Sequence, residues 1–464
     1  MKIFSSLLFS LLFTINSYSQ YDNITGIWKG TLQASTTKLD LIIKIDFSKD
    51  PKAVMDVPAQ GIQDFVPDSV SFNGEVFYFK GSNPNFVLFA TYLPDEDKFI
   101  GKFIQGGEVD ITLERFNDYT PIRRSQEPKP PFPYYSFDTN FKNTNAGIEL
   151  AGTITVPDTL GIYPAVVLVS GSGPQDRDES LLGHKPFLVL ADFLSRNGFA
   201  VLRYDDRGTA KSKGNFSTAN TFDFAEDAVS AVNHLRTFPF VDSKSVGLIG
   251  HSEGGIIAVI VASRYDVCNF VVSLAGTAIN GAEIILLQTE LMMLAEGIDS
   301  VQVKLVTELS KQVLHLAVTD TLTFQGALNN LVKDYSSKLT EDERVLLEKS
   351  NYLNPNNYRV FGNIWMKTFL SYDPAVDMQK IKIPFLGLWG EKDLQVPAII
   401  NYEKADKALK ESESDYNLYI LDGLNHLFQL ANTGSSTEYS IIEETFNENA
   451  LNKILDWLIK TTKK

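Results

Sequence analysis

Apolar and polar positions alternate along the first part of the chain. Between residues 20 and 117 short runs place an apolar side chain at every second position, as in Lys38-Leu39-Asp40-Leu41-Ile42-Ile43-Lys44-Ile45-Asp46-Phe47 and Glu75-Val76-Phe77-Tyr78-Phe79-Lys80. Turn-forming clusters separate the runs: Lys49-Asp50-Pro51, Phe72-Asn73-Gly74, Pro94-Asp95-Glu96-Asp97 and Gln105-Gly106-Gly107. A period of two with this punctuation predicts an all-β barrel or sandwich of about eight short strands. Residues 118–133 then bring Pro121, Pro128, Pro130, Pro131 and Pro133 with Arg123 and Arg124. That composition predicts a stiff, extended linker.

The texture changes in residues 134–464. An antiparallel hairpin is expected from 135–143 and 148–156, turning at Asn145-Ala146-Gly147. Continuous apolar runs then alternate with helical periodicities. Strands are expected at 165–170, 199–204, 246–249 and 270–274, and helices at 186–196 and 222–237. This is the pattern of a doubly wound, mostly parallel α/β sheet, with its site at the carboxyl ends of the strands. From 277 to 372 strand-like runs stop. Helical periodicities at 284–295, 301–318 and 331–349 predict a helical cap inserted over those strand ends. The sheet resumes at 384–390 and 417–421, with helices near 399–409 and 450–460.

Candidate chemistry sits where one of these strands meets its helix. Ser245-Val246-Gly247-Leu248-Ile249-Gly250-His251-Ser252-Glu253-Gly254-Gly255-Ile256 carries Gly-x-Ser-x-Gly between an apolar strand and an apolar helix. That is the context of a nucleophile elbow, with Gly250 and Gly254 relieving close contacts around Ser252. The Glu253 N–H lies at the helix start, where it can meet a developing oxyanion. A serine nucleophile needs a base, and the base needs a carboxylate to orient it. On such sheets the order is serine, acid, histidine. Gly390-Glu391-Lys392-Asp393 follows one later strand and Asp422-Gly423-Leu424-Asn425-His426 the next. Asp393 is therefore the expected acid, with Glu391 second, and His426 the expected base. The loop Ser170-Gly171-Ser172-Gly173-Pro174-Gln175-Asp176-Arg177-Asp178 offers the Ser172 N–H as second oxyanion donor, with Gly173 as alternative. Arg177 is a candidate for substrate contact, although pairing with Asp205 or its neighbours would only brace the loops. His184 is expected near the pocket lining.

Composition narrows the partners. The chain has 42 Lys and Arg against 57 Asp and Glu, a net charge of −15, which argues against nucleic acid or an anionic membrane surface. One Cys and five His leave little for a metal site, and neither metal nor cofactor is expected. Met1-Lys2, the apolar run 3–15 and Ser17-Tyr18-Ser19 read as a signal peptide, residues 1–19. Export to the periplasm or the extracellular space is expected, with no membrane anchor once that signal is removed. Removal of Lys2 with it takes the net charge from −15 to −16.

Taken together, Ser170-Gly171-Ser172-Gly173-Pro174-Gln175-Asp176-Arg177-Asp178, Arg203-Tyr204-Asp205-Asp206-Arg207-Gly208, Gly250-His251-Ser252-Glu253-Gly254-Gly255, Gly390-Glu391-Lys392-Asp393 and Gly423-Leu424-Asn425-His426 resemble secreted bacterial α/β-hydrolases. These are of the serine aminopeptidase-like and carboxylesterase type, some with an added N-terminal β domain. The resemblance covers about residues 135–462 and implies hydrolysis of a small-molecule ester or amide. Family members usually carry Arg-Gly-Thr-Gly-Lys-Ser, and Ala210 stands here in place of the second Gly. Gly26-Ile27-Trp28 is similar to the Gly-x-Trp of lipocalin-like barrels, where Trp28 is expected to plug the core. A carboxylesterase for short to medium acyl chains is the leading expectation. An exopeptidase on the same triad and a non-catalytic binding protein on a hydrolase scaffold are the alternatives. The exopeptidase would need a pocket carboxylate such as Glu253 for a free amino terminus.

Overall fold

The alternating segments of the N-terminal part pair into one antiparallel sheet in the computed structural model, which describes residues 23–34, 37–47, 50–319 and 323–463. The expected signal peptide, 1–19, lies outside the described residues. The chain divides into two units, residues 1–121 and 122–464.

In the first unit the strands are β1 (Gly26–Ala34), β2 (Thr37–Asp46), β3 (Lys52–Val57), β4 (Ile62–Phe65), β5 (Ser69–Phe72), β6 (Val76–Ser82), β7 (Asn85–Leu93), β8 (Lys98–Ile104) and β9 (Glu108–Arg115). Their order is β4-β3-β2-β1-β9-β8-β7-β6-β5, so the pairing of β1 with β9 curls the meander into a half-barrel. The period-two pattern is realised in β7, where Phe86, Leu88, Ala90 and Tyr92 point inward. Trp28 is fully buried and does plug the core. Its Nε1–H donates to the Ile24 carbonyl at 2.8 Å, the Phe99 ring meets it edge-on at 4.7 Å, and the Arg115 guanidinium covers it at 4.3 Å.

The second unit holds an eight-stranded sheet: β10 (Tyr135–Asn143), β11 (Ile148–Val156), β12 (Tyr163–Val169), β13 (Ala200–Tyr204), β14 (Val241–His251), β15 (Val271–Leu274), β16 (Phe385–Gly390) and β17 (Tyr416–Leu421). The order is β10-β11-β13-β12-β14-β15-β16-β17, antiparallel through β10, β11 and β13 and parallel from β13 onward. Val166, Val167, Leu168 and Val169 on β12 are all buried, as expected of a strand covered on both faces. The covering helices are α1 (Pro186–Arg196), α2 (Thr221–Leu235), α3 (Glu253–Arg264) and three more that follow the insertion.

Between β15 and β16 lies the expected cap, with its own core around Val306, Leu309, Val313, Leu328 and Leu370. Its helices are α4 (Gly281–Ala295), α5 (Ser300–Thr319), α6 (Phe324–Ser337), α7 (Glu341–Lys349) and α8 (Ile364–Ser371). The single periodicity expected over 331–349 is two helices. Thr340 caps the second one, accepting from the Glu343 N–H while the Glu343 carboxylate accepts from Thr340 N–H, and that box starts α7 afresh. The chain returns through α9 (Pro374–Met378), then α10 (Ala398–Leu409) and α11 (Glu448–Thr462).

The proline-rich stretch is not a tether along its whole length. Arg124 donates to the carbonyls of Ser440 (2.6 Å) and Ile442. The Gln126 amide oxygen accepts from the N–H groups of Thr445 (2.6 Å) and Phe446 (3.0 Å), and its NH₂ donates to the Phe446 carbonyl at 2.7 Å. Residues 124–126 thus strap onto the hydrolase unit, and the division between the two units falls after Pro121, inside the 118–133 stretch.

Candidate active site

Strand β14 ends at His251 and α3 begins at Glu253, so Ser252 takes the whole reversal, at φ 53° and ψ −117°. Such a backbone costs on the order of 1–3 kcal/mol for a residue with a side chain. The flanking glycines are dictated by space. A Cβ on Gly250 would lie 1.9 Å from the Gly254 carbonyl oxygen, and one on Gly254 would lie 2.0 Å from the Val169 carbonyl oxygen on β12. The Ser252 N–H donates to the Leu274 carbonyl at 2.8 Å, which fixes the turn to β15.

Asp393 and His426 stand beyond the ends of β16 and β17 and meet there. His426 Nδ1 donates to Asp393 Oδ2 at 2.8 Å, and the two residues are 4% and 3% exposed. Asp393 Oδ1 accepts from the N–H groups of Gln395 and Val396, both at 2.8 Å, so the carboxylate is held on both sides. The His426 loop is wound around the buried Asn425, whose side-chain oxygen accepts from Leu427 N–H (3.0 Å) and Gln429 N–H (2.9 Å). With Nδ1 engaged, Nε2 is the ring nitrogen left to act. Among the described residues no hydrogen bond joins it to the Ser252 hydroxyl, and such bonds commonly tighten only when substrate binds. Glu391 lies elsewhere, its carboxylate accepting from the Gly423 N–H at 2.8 Å.

Ser252 and His426 line one cavity of about 280 Å³. The cap supplies Ile284, Ile285, Gln288, Trp365, Met366 and Phe369, and the floor is completed by Ile256, Val396 and Leu427. Ser172 lines it as well, and its N–H meets no acceptor among the described residues. The Gly171 N–H, by contrast, is taken by the Glu179 carboxylate at 2.7 Å. The Glu253 N–H is in the first turn of α3, where backbone donors have no partner within the helix.

Glu253 is among the residues lining the cavity and is 3% exposed. Its Oε1 accepts from Thr221 Oγ1 at 2.7 Å and from the Trp365 indole N–H at 2.8 Å. Burial pushes its carboxyl up, against the hydrogen bonds from Trp365, Thr221 and Ser172. Asp206 keeps part of its residue surface exposed, but its carboxylate accepts from Ser170 Oγ and Gln175 N–H, both at 2.9 Å. Burial there pushes it up to about 8.

Three candidates from the sequence are not brought to the cavity. Gly173 is not among its lining residues. Arg177 is spent on Asp205, with Nε–Oδ1 at 2.9 Å and Nη2–Oδ2 at 2.7 Å, which is the bracing role. His184 is fully buried between the Tyr439 carbonyl (2.7 Å) and the Thr445 hydroxyl (3.0 Å), and burial pushes it down to about 4. Its place after the first core strand suggested the pocket, but its ring is engaged by Tyr439 and Thr445 and it is not among the lining residues. Sequence reasoning passed over Thr221, Trp365 and Glu179. None has a local signal, because Thr221 and Trp365 pair with Glu253 and Glu179 pairs with His251 across 32, 112 and 72 residues.

The family model described as serine aminopeptidase, S33, matches residues 185–430, more than half of the chain, including Ser252, Asp393 and His426. Esterase EstD of Thermotoga maritima is 28% identical over 363 residues, covering 76% of this chain and 77% of its own. Among solved structures, the α/β hydrolase GrgF from Penicillium sp. sh18 is 18% identical at a TM-score of 0.45, over 71% of this chain and 100% of its own. The Pyrococcus furiosus esterase Pf2001 is 15% identical at a TM-score of 0.40, over 71% of this chain and 94% of its own. The elbow, the doubly wound sheet and the family match agree: the chain belongs to the serine aminopeptidase S33 family of α/β-hydrolases.

Proposed function

We propose that the protein hydrolyses small carboxylic esters through Ser252, His426 and Asp393. The observation that carries this reading is the convergence on one cavity of a strained elbow serine and a histidine whose Nδ1 is held by a buried carboxylate. His426 Nε2 takes the Ser252 proton as the hydroxyl oxygen attacks the substrate carbonyl. Asp393 keeps the tautomer and stabilises the imidazolium. The N–H groups of Ser172 and Glu253 receive the oxyanion. The proton then passes to the leaving alkoxide, the alcohol departs, and water activated by His426 releases the acid from Ser252.

An apolar cavity of about 280 Å³ supports short to medium acyl groups over long ones. The Glu253 carboxylate is occupied by Thr221 and Trp365, which favours an ester over an exopeptidase substrate needing an acid for its amino terminus. The esterase name of the Thermotoga maritima relative supports the same choice. The N-terminal sequence pattern supports action after export, and the N-terminal mass of the mature protein checks that point. No helix among the described residues is long and apolar enough to cross a membrane.

The test is covalent labelling by a fluorophosphonate together with kcat/KM across a p-nitrophenyl ester series from acetate to palmitate. Labelling at Ser252, lost in Ser252→Ala, and a maximum at the shorter chains are expected. An unlabelled wild-type protein would end the serine-hydrolase reading, and a maximum at palmitate would end the small-pocket one.

A further inference from the structure

Beside the elbow, lining the same cavity, lies a second histidine–carboxylate pair that the reaction above does not use. Glu179 is 3% exposed and His251 7% exposed. Glu179 Oε1 accepts from the Gly171 N–H at 2.7 Å and lies 2.9 Å from His251 Nδ1. His251 Nε2 lies 2.9 Å from the His426 backbone carbonyl oxygen. One carboxylate oxygen and one ring therefore connect the loop before Ser172 to the loop that carries His426.

Proton counting fixes the state of the ring. Both His251 nitrogens face acceptors, a carboxylate and a carbonyl, so both must donate when Glu179 is ionised, and His251 is then an imidazolium. Burial alone lowers the affinity of the imidazole for a proton. The Glu179 charge and hydrogen bond, the His426 carbonyl and the Asp393 charge outweigh that, and its pKa is raised. Glu179 Oε2 is buried without a hydrogen-bond partner, so His251 is the cation that makes this carboxylate tolerable.

The pair is also held deliberately. Glu179 sits in the left-handed region at φ 53°, which costs a residue with a side chain about 1 kcal/mol or more. Its turn is pinned by Asp176, whose carboxylate accepts from the N–H groups of Asp178 (2.9 Å) and Ser180 (3.1 Å), by Arg177 on Asp205, and by Arg203 on Asp178. The acidic run after the Ser-Gly-Ser-Gly loop thus acts as scaffolding for Glu179.

We propose that Glu179 and His251 are positioning residues for the hydrolytic reaction, anchoring the oxyanion loop and the base loop to one another and balancing the charge beside the His426 ring. The His251 and His426 ring centroids are 4.9 Å apart, close enough for charges on the two rings to act on one another. The ionisable groups that face the pair are Asp393 and His426 from the loops after β16 and β17, with Asp206 and Glu253 acting on the same loops. Asp206 and Glu253 are pushed up by burial, as described above.

This rests on the triad reading, and the experiment separates the two. The full-length protein and its His251→Gln, Glu179→Gln and double variants are compared by kcat/KM against pH on p-nitrophenyl acetate, with fluorophosphonate labelling alongside. His251→Gln leaves the Glu179 charge uncompensated. The acidic limb should move up by about one pH unit, with kcat falling roughly 10–100-fold. Adding Glu179→Gln removes that charge, so the limb should return while kcat stays low. A residue that only supports the fold would lower kcat without moving the limb or restoring it. An unmoved limb in His251→Gln, or no return in the double variant, overturns the proposal while labelling of Ser252 keeps the triad reading alive. Loss of labelling in the unaltered protein removes both. Should the variants not fold, ¹⁵N-histidine NMR of the unaltered protein decides. One ring carrying both protons at pH 7, its Nε2–H donating to the His426 carbonyl, is expected, and a neutral His251 at pH 7 overturns the proposal.

Discussion

The two units bury very different interiors. Among the described residues the half-barrel encloses Trp28, Phe77, Phe79, Phe86 and Phe99 and buries one charged group, Asp56, which is neutralised by Lys44 at 2.8 Å. The hydrolase unit buries several arginine-paired acids such as Asp227 and Asp377 and, near one serine, Glu179, His251, Glu253, Asp393 and His426. An interior built for stability avoids such groups, because each must be paired or protonated to be tolerated. Their concentration at one end of one sheet marks where stability has been exchanged for chemistry.

The sharpest way to break this contrast is at the proposed triad. Asp393→Asn should lower kcat by about 10⁴-fold, since it presents His426 with the wrong tautomer, while Glu391→Gln should change it less than about threefold. Equal losses would mean that the exposed Glu391 and the buried Asp393 differ only in packing. In the half-barrel the corresponding change is Trp28→Ala. It should cost that unit roughly 3–5 kcal/mol, seen as a lowered calorimetric transition, with fluorophosphonate labelling of Ser252 unchanged. Labelling that falls with the half-barrel's melting would erase the functional division between the units.

The placement of Ser252, Asp393 and His426 was legible because glycines and strand ends punctuate the sequence around them. Gly250 and Gly254 cannot carry a Cβ, and Asp393 and His426 each follow a run of buried strand residues. Glu179 was not legible, because it is one acid in the run Asp176-Arg177-Asp178-Glu179, and its partner His251 is 72 residues away. Proline content predicted a linker over 118–133, but composition does not say whether such a segment is free or bound. Arg124 and Gln126 decide that through backbone carbonyls and amides that carry no sequence signature.

A subtler test concerns the buried acids. Asp206 is pushed up to about 8 in the folded protein, against about 4 in an unfolded chain. Between those values the folded state keeps a proton that the unfolded state has released. Its stabilising contribution is therefore complete below pH 4 and declines as pH rises to about 8. Asp206→Asn removes the titration, so the variant should gain on the wild type by roughly 2–4 °C in Tm or more between pH 5 and 8.5. Parallel melting curves across that range would show that Asp206 is ionised throughout. The smallest effect is expected at Ala210, which is exposed and holds φ 45°, the conformation a glycine would take there at no steric cost. Ala210→Gly relieves that strain but frees the unfolded chain, so thermal stability should change by no more than about 0.5 kcal/mol. A larger loss would mean that the methyl group packs against the loop.

The hydrogen bond from Trp365 to Glu253 gives the protein a built-in optical reporter. The chain has four tryptophans, and Trp28, Trp389 and Trp457 are at most 7% exposed. Trp365 alone lies on the cap and touches the elbow, so lifting α8 from the cavity would break its indole bond and bring the ring into water. Its emission would shift to the red while the other three stayed fixed, so opening and closing of the cap can be followed in real time without an attached dye.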